Sequence, residues 1–499
     1  MADFLTRRWG AGLLTGVCVY GLGSMTLLRA ETLDFRQAVD VALKQNPDLM
    51  AVQAQMAQAR AGIAQAEGAK LPKVTVSAGV TRTNDALNAF GLKLSQRRAT
   101  FNDFGAGDFL NALNTGGNPL PIAPENLNYP GSVNNFNTRI EAQMPLYTGG
   151  KLQGYMQQAR SMLMAAQSGD QAARQQIIYH ALQAYDGVYT ARAFKGVAGK
   201  ALEASQSQVK TVDSLFRQGV VIKSDLLSAQ VRLEDVKLQQ DQAANMEAQA
   251  MDALHVVLGV PLNQPIALGP EVLVSMPEGN PTAWVGQAME RNPQIQALQH
   301  QIAAANGKID VARADRYPQV GAMARFDTND PNLGFESHGY TVGAQLNWTV
   351  FDGGVTRNAV DQAVAQRMEL QAKLQSAQNQ LGMQVQDAYR KALDASSQVK
   401  TRELAVTQAE EAARIVTRRY ADGVGTLVEV QGAQAQLDKA RADLIMAKQQ
   451  VNMQRAALRL ALGDLTLDAT QPVKPAQVAA VPLAPDQAQQ QALAQSVKP

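Results

Sequence analysis

Four stretches of this chain alternate apolar and polar residues with a period of two. Val74, Val76, Ala78 and Val80 alternate with Thr75, Ser77, Gly79 and Thr81, and Ile140, Ala142, Met144 and Leu146 with Arg139, Glu141, Gln143 and Tyr147. Further on, Val320, Ala322, Ala324 and Phe326 stand against Gln319, Gly321, Arg325 and Asp327. Tyr340, Val342, Ala344, Leu346, Trp348 and Val350 stand against Thr341, Gly343, Gln345, Asn347 and Thr349. Such alternation predicts strands with one apolar and one polar face. Each is about 9–11 residues long, the length of a tilted strand that crosses a bilayer. The longest remaining runs, Lys151 to about Arg217 and Val355 to about Arg419, are free of proline and rich in Ala, Gln, Leu and Met. They predict two helices of roughly 100 Å each, far longer than a globular helix.

The elements occur twice. ALKQNPDL around Asn46-Pro47 returns as AMERNPQI around Asn292-Pro293, and Pro72 returns as Pro318, both at an offset of 246. PLYTGG (Pro145 to Gly150) returns as TVFDGG (Thr349 to Gly354) at an offset of 204, which also links Tyr185 to Tyr389, Gly219 to Gly423, Gln230 to Gln434 and Gly259 to Gly463. The difference of 42 is one insertion between Pro72 and Pro145 of the first copy. The chain therefore divides into a first repeat, 31–278, with a hairpin over 73–147, and a second repeat, 279–467, with a hairpin over 319–351. Each Asn-Pro marks a helix start, with proline at the tolerated first position. Gly219-Val220 and Gly423-Val424 break the helices at turns. About 24 residues after Asn46 and about 37 after Ile222, laid end to end, would flank one long helix along nearly its whole length. Each chain would then supply four parallel rods.

The ends and the insertion read differently. Arg7 and Arg8 precede an apolar stretch from Trp9 to Leu28 that stops at Ala30 before Glu31, the layout of a secretory signal peptide over 1–30. An uncleaved anchor and a lipid on Cys18 are the alternatives, and Val17 is bulky for a lipid-processing site. The insertion, about 83–135, is rich in Asn, Gly and Pro and predicts an external loop. Residues 468–499, rich in Pro, Ala and Gln, predict a disordered tail.

Composition removes other chemistries. A formal net charge of +2 is too balanced for a nucleic-acid partner. Cys18 is the only cysteine, which excludes disulfides and cysteine zinc sites. His180, His255, His300 and His338 are scattered, and no phosphate loop, His-Glu-x-x-His or nucleophile motif is present. The expectation is no enzyme, no cofactor and no metal site.

Four strands cannot close a membrane barrel, whose smallest known forms have about eight. An open edge in lipid leaves backbone donors and acceptors unpaired. Chains must pool strands: a dimer gives eight, a trimer twelve, a tetramer sixteen. Here the chain resembles the TolC-type outer-membrane efflux protein family over about residues 31–465. The resemblance rests on the duplicated Asn-Pro starts, PLYTGG and VFDGG, and the paired turns FRQGVVIKSDLLSAQ (Phe216 to Gln230) and YADGVGTLVEVQGAQ (Tyr420 to Gln434). It implies a mainly α chain with membrane β-strands that forms, as a homotrimer, a 12-stranded β-barrel continuous with a periplasmic α-helical barrel. It also implies an outer-membrane exit duct for efflux or type I secretion, a passive conduit driven by an inner-membrane transporter. The tip turns Gly219, Val220, Gly423 and Val424 would meet a periplasmic adaptor protein. Gly149, Gly150, Gly353 and Gly354 would join barrel to helices. Tyr420, Asp225, Ser224 and Glu429 would form a periplasmic gate. Gly425 stands where the family has an arginine and Gly432 where it has a lumen-facing aspartate, so the gate and an acidic ring would be weak. A periplasmic adaptor or a coiled-coil protein without channel activity are the rival readings. The first calls for one hairpin beside a small β domain, the second for sustained heptads without alternating strands.

Overall fold

The computed structural model describes residues 32–473, so the signal segment and Cys18 lie outside the described residues. Both long runs form single unbroken helices of 67 residues, α6 (Lys151–Arg217) and α10 (Val355–Ala421). Their short companions come in matched pairs. α2 (Pro47–Gly68) and α9 (Pro293–Ala314) have 22 residues each, and α7 (Lys223–Leu258) and α11 (Leu427–Leu462) have 36 each. α2 and α7 both lie along α6, and α9 and α11 along α10, with α9 wedged also against α6.

The short helices are spliced end to end by asparagine. Asn46 accepts the Asp48 amide at 2.9 Å, capping α2, while its Nδ2 donates to the Val257 carbonyl in the last turn of α7 at 3.0 Å. Asn292 repeats this, with the Gln294 amide at 2.9 Å and the Ala461 carbonyl of α11 at 3.2 Å. One amide thus serves an orphan donor of the helix that starts and an orphan acceptor of the helix that ends. The approach is close enough to need glycine. Gly259 has φ +72°, and a Cβ there would lie 2.7 Å from the Gln45 carbonyl. Where α6 crosses α9, a Cβ on Gly307 would lie 2.7 Å from the Gln158 amide nitrogen.

Three smaller elements belt the splice: β1 (Thr32–Leu33), α1 (Phe35–Gln45) and α8 (Pro281–Arg291). Phe35 and Tyr185 meet edge to face at 5.4 Å, and Trp284 and Tyr389 do the same at 5.3 Å in the second copy. The bulky core lies here, around Leu182, Leu254 and Leu258 and around Ile295, Val385 and Leu458. Elsewhere the rods bury mostly alanine, such as Ala409, Ala413 and Ala440. β4 (Ala267–Leu268) pairs with β1, and β5 (Val272–Val274) pairs with a strand of the expected tail, Thr470–Pro472. Residues 468–473 are therefore ordered, contrary to the reading from composition. The ladder partner supplied by β5 outweighs local polarity. Residues 474–499 lie outside the described residues.

The hairpins join into one antiparallel sheet of β2 (Lys73–Thr83), β3 (Val133–Tyr147), β6 (Gln319–Asp330) and β7 (His338–Asn347), in that order. The insertion is not a plain loop. It folds into α3 (Ala86–Ser95), a 3-10 turn (Phe101–Phe104), α4 (Ala106–Asn114) and α5 (Glu125–Asn128). These helices are too short to show a clear period. Distant bonds hold them: Gln96 donates to Asn134, Ser337 to the Gln96 carbonyl and Arg97 to the His338 carbonyl, all at 2.7–2.8 Å.

Beneath β5, Asn452 of α11 bonds the Val274 amide at 2.8 Å and the Val272 carbonyl at 2.9 Å. Asp186 of α6 is buried beside it with one oxygen unbonded. Burial pushes its carboxyl up to about 7, Glu271 adds repulsion and Asn452 opposes the shift. The folded state therefore holds this proton more tightly than the unfolded chain. Stability falls as pH rises from about 4 toward about 7, by roughly 4 kcal/mol at the upper limit. Asp186→Asn is expected to raise the melting temperature near pH 8 and leave it nearly unchanged near pH 4, which circular dichroism melts in detergent would show.

Candidate functional site

The sheet carries its chemistry in rows. Register pairs Val76 with Ile140, Ile140 with Phe326 and Phe326 with Tyr340, and likewise Val74, Ala142, Ala324 and Val342. Cross-strand partners share a face, so one face is a continuous apolar surface. Val76 (66%), Tyr340 (83%) and Val342 (74%) lie open, with no protein over them. The opposite rows are polar: Thr75, Glu141, Arg325 and Thr341, then Ser77, Arg139, Asp327 and Gly339. Arg139 donates from Nε to Asp327 at 2.6 Å, and Arg325 forms an ion pair with the same carboxylate at 2.6 Å. A charged ladder on one face and bare aliphatics on the other fit water on one side and lipid on the other. β2 and β7 are unpaired edges.

Two details of the strands depart from simple alternation. A bulge between Pro145 and Tyr147 pairs Tyr147 with Val320, which moves Tyr147 out of the polar set and onto the apolar face. β7 stops at Asn347, short of Val350, because its last partner is Gln319 and Pro318 before it has no N–H to offer. Trp348 instead donates its indole N–H to the Arg316 carbonyl at 3.2 Å. Tyr147, Tyr317, Trp348 and Phe351, all at the helix side of the sheet, are each at least half exposed.

Glycine pairs turn the sheet into the rods. Gly149 and Gly150 have φ of +62° and +92°, Gly353 and Gly354 +64° and +91°, and the second of each pair caps a 67-residue helix. Asp352 accepts the Gly354 amide at 2.9 Å and the Thr356 amide at 2.7 Å. This cap is legible in the sequence as an acidic residue before Gly-Gly.

At the other end Gly219 (φ +77°) and Gly423 (φ +75°) close α6 and α10. Val220 bonds back to Leu215 and Val424 to Arg419, which satisfies the last carbonyls. Val220 and Val424 project into solvent. The four gate residues do not form one bonded cluster. Glu429 and Thr426 make a capping box on α11, a T-x-x-E signature that identifies Thr426 as the missing partner. Ser224 is exposed in the first turn of α7. Tyr420 is buried among Val212, Ala229, Leu427 and Val430. Burial pushes its phenol up, and the Asp225 charge adds to the shift, yet its hydroxyl has no hydrogen-bond partner among the described residues. A side chain at Gly425 would sit 3.2 Å from the Tyr420 nitrogen, tight but outside the left-handed region.

His255 bonds the Met251 and Gln264 carbonyls at 2.7 Å each, and His338 stacks on Phe326. Among the described residues no group of three or more His, Cys, Asp or Glu could hold a metal ion, and no helix is long and apolar enough to cross a membrane.

A two-faced sheet continuous with hundred-ångström rods fits an outer-membrane duct. The sequence profile described as outer membrane efflux protein matches residues 38–260 and 284–464. Protein CyaE of Bordetella pertussis is 27% identical over 455 residues, 89% of this chain and 87% of that protein. The alkaline protease secretion protein AprF of Pseudomonas aeruginosa is 23% identical over 339 residues, 66% of this chain and 70% of that one. The fold matches the Campylobacter jejuni CmeC outer membrane channel with a TM-score of 0.71 at 19% identity, covering 86% of this chain and 85% of that one. The open Neisseria gonorrhoeae MtrE outer membrane channel gives 0.67 at 19%, covering 87% and 89%. The chain belongs to the outer membrane efflux protein family. It is an outer-membrane exit duct of efflux or type I secretion, extends into the periplasm, and is not an enzyme.

The two junctions differ in what surrounds their glycines. A Cβ on Gly149 would lie 2.7 Å from the Ala314 carbonyl, whereas none of its atoms lies within 4 Å at Gly353. Both alanine substitutions cost about 1 kcal/mol in backbone strain, and only Gly149→Ala adds a backbone clash. Urea midpoints in detergent are expected to fall at least twice as far for Gly149→Ala as for Gly353→Ala.

Proposed function

We propose that three copies pool their sheets into a twelve-stranded barrel, with twelve rods forming the periplasmic tunnel below it. The observation that carries this reading is the sheet with a bare apolar face and two open edges, β2 and β7. In hydrocarbon each unpaired backbone group costs several kcal/mol, so β2 of one copy pairs with β7 of the next. The rows of Val74, Val76, Tyr340 and Val342 then face outer-membrane lipid, and Arg139, Arg325 and Asp327 face the water-filled lumen. Native mass spectrometry in detergent is expected to show three chains, and planar bilayers to show stable ion conductance. A folded monomer that conducts would refute the trimer.

The duct supplies no energy, so an inner-membrane transporter drives cargo and a periplasmic adaptor protein joins the two. The exposed Val220 and Val424, set on Gly219 and Gly423, form the surface that the adaptor meets. Tyr420, Asp225, Ser224 and Glu429 contribute unequally to the periplasmic gate. Tyr420 acts through packing, since its hydroxyl is unbonded; Glu429 acts as a cap; Asp225 supplies charge beside the phenol.

Removing a buried hydroxyl that has no partner is close to neutral. Removing the ring leaves a cavity that costs about 3–5 kcal/mol. Tyr420→Phe is therefore expected to leave resting bilayer conductance near the parent level, and Tyr420→Ala to raise it. Gly425→Arg, which puts a cation beside Asp225, is expected to lower it. Conductance unchanged in both Tyr420→Ala and Gly425→Arg would restrict these residues to holding the turn together.

A further inference from the structure

A cavity of about 260 Å³ lies between the two helix pairs a few turns above the tip, bounded by all four of α6, α7, α10 and α11. Four of the side chains that line it share a defect. Gln208 Nε2, Tyr420 Oη, Gln431 Nε2 and Asp438 Oδ2 are each closed off from solvent and have no hydrogen-bond partner. Of the eleven such atoms among the described residues, four line this cavity. An unpaired buried polar group is unfavourable, and amide and carboxylate groups rotate easily about their last torsion. These side chains are therefore poised to bond a guest.

The guest's chemistry follows from the wall. Two amide N–H groups offer donors, the Asp438 carboxylate offers an acceptor and the Tyr420 hydroxyl offers either. Arg232 also lines the cavity and balances Asp438, so the site favours a neutral guest over an ion. The remaining wall includes Ala201, Ala229 and Val236, all buried apolar residues. We propose that this cavity is a binding site for a small neutral molecule with a carboxamide-like head and an apolar body. The carbonyl of the head accepts from Gln208 or Gln431, its N–H donates to Asp438, and its body lies against the alanine and valine wall. The site is independent of the gate reading, because it requires only the packing of the four helices within one chain.

Benzamide is a suitable probe, with the full chain in detergent and binding followed by saturation-transfer NMR. Saturable binding with a dissociation constant on the order of millimolar is expected for so small a guest. Ala204 lines the cavity without offering a polar side chain, and Ala204→Leu is expected to abolish the signal by filling the space. Gln431→Leu, which removes a donor at similar volume, is expected to weaken binding about fivefold. Should Ala204→Leu fail to fold, Gln431→Leu decides the matter alone. Absence of saturable binding to the parent overturns the proposal. So does binding to a folded Ala204→Leu, or to Gln431→Leu, that equals the parent, since the probe would then lie elsewhere.

Discussion

A helix that ends inside a bundle leaves carbonyls without donors, and a helix that begins there leaves N–H groups without acceptors. Asn46 and Asn292 place one carboxamide at each such meeting point and answer both needs at once. Everything longer than a globular domain in this molecule depends on that splice. The 67-residue helices α6 and α10 would otherwise run past the ends of their 22- and 36-residue companions. With the splice, each long helix has a companion along nearly its whole length. Two aromatic pairs, Phe35 with Tyr185 and Trp284 with Tyr389, pack at that level.

Away from the splice the rods rely on small residues, and their cohesion is correspondingly modest per turn. Ion pairs cross between helices, as Arg192 and Lys195 do to Glu247, and Arg402 to Asp443. These are partly exposed and worth a fraction of a kcal/mol each. Near the tip, four buried polar atoms of Gln208, Tyr420, Gln431 and Asp438 are unpaired. The membrane sheet takes the opposite approach, with unbroken ladders, a single bulge and Asp327 clamped between two arginines.

The two copies of the repeat also show how far duplication has been preserved. Helix lengths agree residue for residue, and the junction glycines agree within a few degrees in φ. The caps do not. Asp352 stands where the first copy has Thr148, and Thr426 with Glu429 form a box that Ile222 and Asp225 do not. Apart from the insertion between β2 and β3, the copies thus differ at the starts of α6 and α10 and of α7 and α11.

Period, length and repetition were readable directly. Two-residue alternation marked the four strands, proline-free runs marked α6 and α10, and the offsets of 246 and 204 paired every major element. These features are local, or are relations between identical residues, so the chain alone determines them. Other features arise from contacts between residues far apart in sequence. The helices within 86–128 are held by bonds from Gln96, Arg97 and Ser337 to distant backbone, and no local period announces them. Thr470–Pro472 looked like the start of a polar tail because its partner, β5, lies about two hundred residues earlier. The displacement of Tyr147 to the apolar face comes from a register shift against β6. The missing bond at Tyr420 follows from how α10 seats against α6, α7 and α11. Asn46 and Asn292 span both kinds of knowledge. Their capping role follows from the residues beside them, whereas their grip on α7 and α11 exists only once the rods stand end to end.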